Sequence, residues 1–187
     1  MTGFLALEDG TVFRGESVGA PGWAFGEAVF TTAMAGYQET VTDPSYAKQI
    51  VCFTAPMVGN YGVAEERSQS DRPHATGVLM REARGPHWTD WLHDHNLPAL
   101  TGVDTRSLVL HLRDRGAMRG GVVAGADDMD EALAAVRAQP RMEGQALAEQ
   151  PGVRRPRAEL IRLDAPARGQ VDQHDVRGLA RCDPRHR

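Results

Sequence analysis

The sequence predicts an α/β domain over residues 1–150 followed by a poorly structured, arginine-rich tail over residues 151–187. Three observations lead there. Short apolar runs of strand character dominate the first half, and they mix with segments of helical period in the second. Gly, Pro and Asn punctuate the runs closely, as turns in a compact domain require. The composition then changes near residue 150. Residues 1–150 hold 12 Lys and Arg against 20 Asp and Glu, whereas 151–187 hold 9 Arg against 5 acids and no Phe, Trp or Tyr.

The elements follow in chain order. Phe4–Leu7 and Thr11–Arg14 flank Glu8-Asp9-Gly10 and read as a hairpin with a tight primed turn, since Asp-Gly supplies positive φ angles. Gly19 to Gly22 is a loop, and Glu27–Thr32 is a strand. Met34–Tyr46, broken by Gly36 and Pro44, is a loop with at most a short helix. Gln49–Thr54 is a continuous apolar run, the pattern of a strand buried on both faces. Val58–Gly62 is a turn, Ala64–Pro73 a polar loop and Thr76–Met80 a strand. Trp88, Trp91 and Leu92 share one helix face. Leu97–Val103 returns to strand. Asp104 caps a helix that runs to about Arg115, where Gly116 stops it. Gly121–Ala124 is a strand. Asp128 with Glu131 opens a last helix that ends before Pro140.

Composition excludes several classes. The chain has 187 residues, 41% hydrophobic and 25% charged, which is enough for a core without staples. A net charge of -4 gives no global pull toward nucleic acid or an anionic membrane. No apolar run approaches the ~20 residues of a membrane span, and the N-terminus does not read as a signal peptide. Two cysteines, Cys52 and Cys182, exclude a disulfide framework and fit a reduced, cytoplasmic setting. Of the 21 basic residues only Lys48 is lysine.

The motifs are Gly36-Tyr37-Gln38-Glu39, Thr42-Asp43-Pro44-Ser45-Tyr46, Gln49-Ile50, Gly59-Asn60-Tyr61-Gly62 and Asp104-Thr105-Arg106, preceded by Leu7-Glu8-Asp9-Gly10-Thr11. In this order and spacing they resemble the N-terminal domain of the small subunit of glutamine-dependent carbamoyl-phosphate synthetase, from about residue 4 to residue 150. The resemblance implies a layered β/β/α domain with a parallel sheet and a smaller antiparallel sheet. It also implies the function of that enzyme: a second, amidotransferase half hydrolyses glutamine. Ammonia passes to the large subunit, which makes carbamoyl phosphate from bicarbonate and ATP for arginine and pyrimidine synthesis. The large subunit is the implied partner and glutamine the family substrate. ATP and metal are expected on the large subunit, and no cofactor is expected in this chain.

Site residues carry over by motif. The resemblance puts Ser45 at the glutamine site, completed by the other half, against the plain alternative that it ends a turn or caps a short helix. Tyr37, Gln38, Glu39, Asp43 and Tyr46 are implied at the same corner, at an interface or on the ammonia path. Local loop hydrogen bonding is an equal reading of Glu39 and Asp43. The family's nucleophile lies on a Gly-x-Cys-x-Gly elbow, which neither cysteine matches. Cys52 reads as a buried small hydrophobe, and Cys182 lacks the strand, glycines and helix of an elbow. No catalytic residue is therefore expected here, and the isolated chain is expected to release no glutamate from glutamine. The rival class is a non-enzymatic module that docks on the large subunit.

The remaining candidates are weaker. His93 and His95 are i and i+2 on a helix and face apart, so a metal pair is not expected. Trp88 and Trp91 read as packing, and Arg106 and Arg113 as solvated or partner-facing positions. There is no phosphate-binding glycine loop. The tail's arginines could bind phosphates, but no aromatic is there to stack on bases. Its Arg, Ala, Gly and Pro bias fits GC-rich codons read out of frame at the domain junction, and this frameshift or truncation is the leading expectation for 151–187.

Overall fold

The computed structural model describes residues 2–125 and 128–140. Strands β1 (Thr2–Leu7) and β2 (Val12–Ser17) form the hairpin, and β3 (Gly22–Thr31) follows. Then come α1 (Tyr37–Thr42), β4 (Gln49–Phe53), β5 (Gly77–Leu79), α2 (Pro86–Asp94), β6 (Ala99–Thr101), α3 (Thr105–Arg115), β7 (Met118–Ala124) and α4 (Met129–Ala138). The fold is mixed α/β, as the sequence predicts.

The strands pair in the order β1-β2-β6-β5-β4-β3-β7, and β7 returns to β1 to close a barrel. Strands β3, β4, β5 and β6 are parallel neighbours. The other pairings are antiparallel. The parallel and antiparallel portions expected as two sheets are thus joined edge to edge. The seam is short on one side, only Glu16 with Thr101 and Ser17 with Leu100. On the other side β3 is long enough to serve both partners, pairing with β7 from Gly22 to Ala28 and with β4 from Glu27 to Thr31. Closure removes free sheet edges.

Three apolar groups hold this together. The barrel interior contains Leu5, Leu7, Ile50, Cys52, Leu79, Leu100 and Val122, and Leu108 and Leu112 of α3 join it. Outside the parallel wall, Val51, Phe53, Val78 and Met80 meet Tyr37 and Val41 of α1 and Trp88 and Leu92 of α2. Outside the antiparallel wall, Phe4, Ala6 and Val123 meet Ala132 and Val136 of α4. Strand β4 feeds both sides, which is why it reads as an unbroken apolar run: Ile50 and Cys52 point inward, and Val51 and Phe53 outward.

Helix α3 lies across the mouth at the carboxyl ends of the parallel strands. It starts directly after β6, and its far half reaches the first hairpin, where His111 Nε2 lies 2.8 Å and Arg115 3.5 Å from Asp9 Oδ2. Both helix starts expected from sequence are capped: Asp104 accepts from the Ser107 amide and Asp128 from the Glu131 amide. The hairpin loop Glu8-Asp9-Gly10 stands where the sequence puts it, but its turn is not the primed type. Gly10 N–H donates to Leu7 O and Leu7 N–H to Thr11 O, so three residues make the loop. Only Gly10 has positive φ, at 92°. Asp9 instead accepts from the Thr11 amide, which stabilises the turn without a left-handed aspartate.

Candidate functional site

Helix α1 and the turn after it carry the motif residues. The segment Tyr-Gln-Glu-Thr-Val-Thr has modest helix propensity, so burial of one face must supply its stability. Tyr37, Gln38, Val41 and Thr42 are all buried. The helix stops at Asp43, whose ψ of 123° is the extended geometry that a residue before proline adopts.

The first motif is a clamp on the 59–70 loop. The Tyr37 ring stacks on Tyr61 at 4.3 Å and leans on Trp88 at 4.7 Å, and its hydroxyl donates to Gly62 O. Burial, aided by Tyr61, pushes the Tyr37 phenol above its ordinary pKa, so it stays a donor. The Tyr61 hydroxyl in turn accepts from the Gly36 and Tyr37 amides. Arg67 lies over the Tyr61 ring at 4.8 Å and donates to Tyr61 O. Gln38, 1% exposed, donates to Ala64 O at 2.7 Å and Ser68 Oγ at 2.9 Å and accepts from the Ala64 amide at 3.0 Å. Thr42 Oγ1 accepts from the Gln69 amide, and Ser70 donates to Thr42 O. Tyr37 and Gln38 both bond internally, and the Gly-Tyr-Gln-Glu and Gly-Asn-Tyr-Gly motifs touch each other.

The same loop rests on Gly59, which has φ of 98° and packs against α2. A Cβ there would lie 2.1 Å from Arg84 O and 2.8 Å from Trp88 Cβ. Glu39 is different. Its Oε2 is shielded from solvent and, among the described residues, has no hydrogen-bond partner.

The second motif makes a one-turn 3₁₀ helix, Pro44–Tyr46, capped by Asp43. Asp43 Oδ1 accepts from the Ser45 amide at 2.8 Å and from the Ser45 hydroxyl at 2.7 Å. A carboxylate only accepts, so the serine proton is committed to Asp43 and the Oγ lone pairs remain for an outside donor. Ser45 is exposed; Tyr46 is half-buried against the α1–α2 side of the core. The turn stands just before β4, at the amino end of the parallel strands. Lys48, the lone lysine, holds a left-handed φ of 62° there, and its carbonyl accepts from the Glu27 amide. Nearby, burial and the charge of Arg72 lower the pKa of His74, which favours the neutral imidazole.

Other sequence candidates are placed plainly. Cys52 is fully buried, and burial pushes its thiol up to about 12, so it holds almost no thiolate at neutral pH. Cys182 and the 150/151 boundary lie outside the described residues. His95 stacks on Trp91 at 4.1 Å and bonds its carbonyl, while His93 lies 3.8 Å from Asp94. Among the described residues no group of three or more His, Cys, Asp or Glu is placed to hold a metal ion. No helix among them is long and apolar enough to cross a membrane. Trp88 is core, and Arg113 pairs with Asp114 at 2.9 Å.

Arg106 lines a cleft of about 410 Å³ at the carboxyl end, with Thr54, Pro56, Arg81, Val109 and Leu110. Sequence reasoning missed this cleft, and it missed the roles of Thr42, Ser68 and Ser70. Nothing in a polar loop's composition announces which hydroxyl meets which helix.

Comparison with known proteins places these features in a family. The model for "Carbamoyl-phosphate synthase small chain, CPSase domain" matches residues 5–122. The chain is 46% identical over 155 residues to a carbamoyl phosphate synthase small chain of Methanosarcina acetivorans, covering 79% of this chain and 42% of that one. It is 48% identical over 153 residues to one of Thermosynechococcus vestitus, covering 78% and 40%. With one of Pseudomonas syringae it shares 44% over 155 residues, covering 78% and 41%. The chain thus spans well under half the length of these relatives. It belongs to the carbamoyl-phosphate synthase small-chain family, and what it carries is that family's CPSase domain.

Proposed function

We propose that this chain is the part of a cytoplasmic carbamoyl-phosphate synthase small chain that docks on the synthetase large subunit and offers Ser45 to a glutamine site shared with an amidotransferase half. The reaction served is synthesis of carbamoyl phosphate from glutamine-derived ammonia, bicarbonate and ATP, for arginine and pyrimidine biosynthesis. The nucleophile and base belong to the amidotransferase half, and ATP and metal to the large subunit. This chain binds and positions.

The observation that carries the reading is the exposed Ser45 hydroxyl, held by Asp43 in a chain of this family. With its proton engaged, the oxygen suits an N–H donor such as the carboxamide or ammonium of glutamine. A turn built on Pro44 and an aspartate cap presents it with little freedom to reorient.

Two measurements test this. The purified chain should bind the large subunit at micromolar concentration in sedimentation experiments. In a small chain carrying both halves, Ser45→Ala should raise KM for glutamine by about tenfold, the scale of one lost hydrogen bond to a charged group, and leave ammonia-dependent synthesis unchanged. An unchanged KM with intact docking would leave a docking module without a substrate role.

A further inference from the structure

Helix α4 ends beside the first hairpin, and one side chain ties the two together. Arg119, near the start of β7, donates to Glu8 Oε2 from Nε at 2.9 Å and from Nη2 at 2.6 Å. Its Nη1 donates to Arg137 O at 3.1 Å and to Gln139 O. Its amide donates to Glu8 Oε1, and Arg137 Nε donates to Glu8 O. The two side chains of the ion pair are only 19% and 22% exposed. The last carbonyls of a helix need donors, and water alone can supply them. A planar guanidinium bonded through all three nitrogens and largely screened from water also fixes direction. The direction fixed here is that of the chain as it leaves α4.

That exit lies near the Ser45 turn. In the sheet register Arg119 is opposite Glu27, and Glu27 is opposite Gln49, the first residue of β4. Two strand spacings separate the Arg119 and Gln49 backbones by about 10 Å. One cleft of about 260 Å³ is lined by Arg119, Gln139 and Pro140 on one side and by Glu27 and Lys48 on the other. Ser45 is three residues before Lys48, so their Cα atoms lie within about 11 Å.

We propose that Arg119 is a positioning residue. With Glu8 it holds the chain at Gln139-Pro140 beside the start of β4, so that the segment leading to the amidotransferase half starts near Ser45 and that half meets Ser45 in one register. This rests on the substrate reading of Ser45 given above and adds what brings the two parts of that site together.

Spin labels at Ser45→Cys and Pro140→Cys, with Cys182→Ser, read the placement in the 187-residue chain; Cys52 is buried and stays unlabelled. The label–label distances should form one narrow distribution, which Arg119→Gln broadens. Kinetics of a small chain carrying both halves read the consequence. Arg119→Gln should raise KM for glutamine about threefold and leave ammonia-dependent synthesis unchanged. In a Ser45→Ala background the same change should add nothing, because Arg119 acts through the placement of Ser45. Glu8→Gln should move both readouts the same way by less, and it carries the test if Arg119→Gln does not fold.

An unchanged distance distribution or an unchanged KM would overturn the proposal and leave Arg119 as a plain helix stop. Ser45→Ala would then still raise KM, and the substrate reading would stand. Equal effects of Arg119→Gln with and without Ser45 would also overturn it, since a general loss of stability adds at separate sites. No effect of Ser45→Ala would overturn both.

Discussion

The two ends of the barrel satisfy their groups differently. At the amino end the polar side chains bond one another: Asp43 holds Ser45, and Gln49 Nε2 reaches Glu27 at 3.5 Å. At the carboxyl end, large apolar groups face solvent and two arginines have no ion pair among the described residues. The first arrangement presents one oriented hydroxyl, and the second leaves apolar groups and cationic heads facing solvent. Between them stands the wall of Tyr37, Gln38, Thr42 and Trp88, which fixes both loops at once.

The wall should be where stability resides. Trp88→Ala removes a fully buried ring that packs on Tyr37 and supports Gly59. Its expected cost is about 3–5 kcal/mol in denaturant unfolding. A cost near zero would break the picture of a shared wall.

Gln38→Ala comes next, at about 1–3 kcal/mol, because the Ala64 amide and carbonyl lose their partner. Loss of proteolytic resistance confined to the 61–70 loop is the accompanying sign.

Asp9 sharpens the comparison at the mouth, since it is the anchor that seats α3. Burial alone would raise its carboxyl, but hydrogen bonds from Thr11 and His111, with the field of His111, outweigh it and hold the group below its ordinary value. The folded state therefore keeps the carboxylate ionised to lower pH than the unfolded chain does. Its contribution is complete above the ordinary carboxylate pKa and is lost as pH falls through the lowered one. Asp9→Asn should lower stability at neutral pH and flatten the acid limb below about pH 4, read by thermal melts across pH.

The smallest effect belongs to the exposed apolar side chains. Met34→Ser should change stability by no more than about 0.5 kcal/mol, since the side chain is 70% exposed. A large loss would mean that Met34 packs into the core.

Much of this was legible in the sequence and some was not, for physical reasons. The run Ile50-Val51-Cys52-Phe53 announced a two-sided strand because both its faces are covered. Asp104 and Asp128 announced their helices because capping is a local act. Helix α1 was barely visible, since its stability comes from Gln38 and Thr42 bonding a loop about 26 residues away. Barrel closure was invisible for the same reason: the β2–β6 and β3–β7 pairings join segments with nothing local in common. Ser45 was found by resemblance to a family. Asp43, which holds it, reads equally as an interface residue or a local hydrogen-bonding one, and the structure shows the local bond. The exposure of Phe30, Met57 and Leu110 is not legible in the sequence, because it is a property of the folded chain.

Glutamine kinetics of a small chain carrying both halves test the central claim most directly. Ser45→Ala should raise KM for glutamine about tenfold and leave ammonia-dependent synthesis unchanged. An unchanged KM would contradict the account and leave the Asp43–Ser45 turn as a local cap.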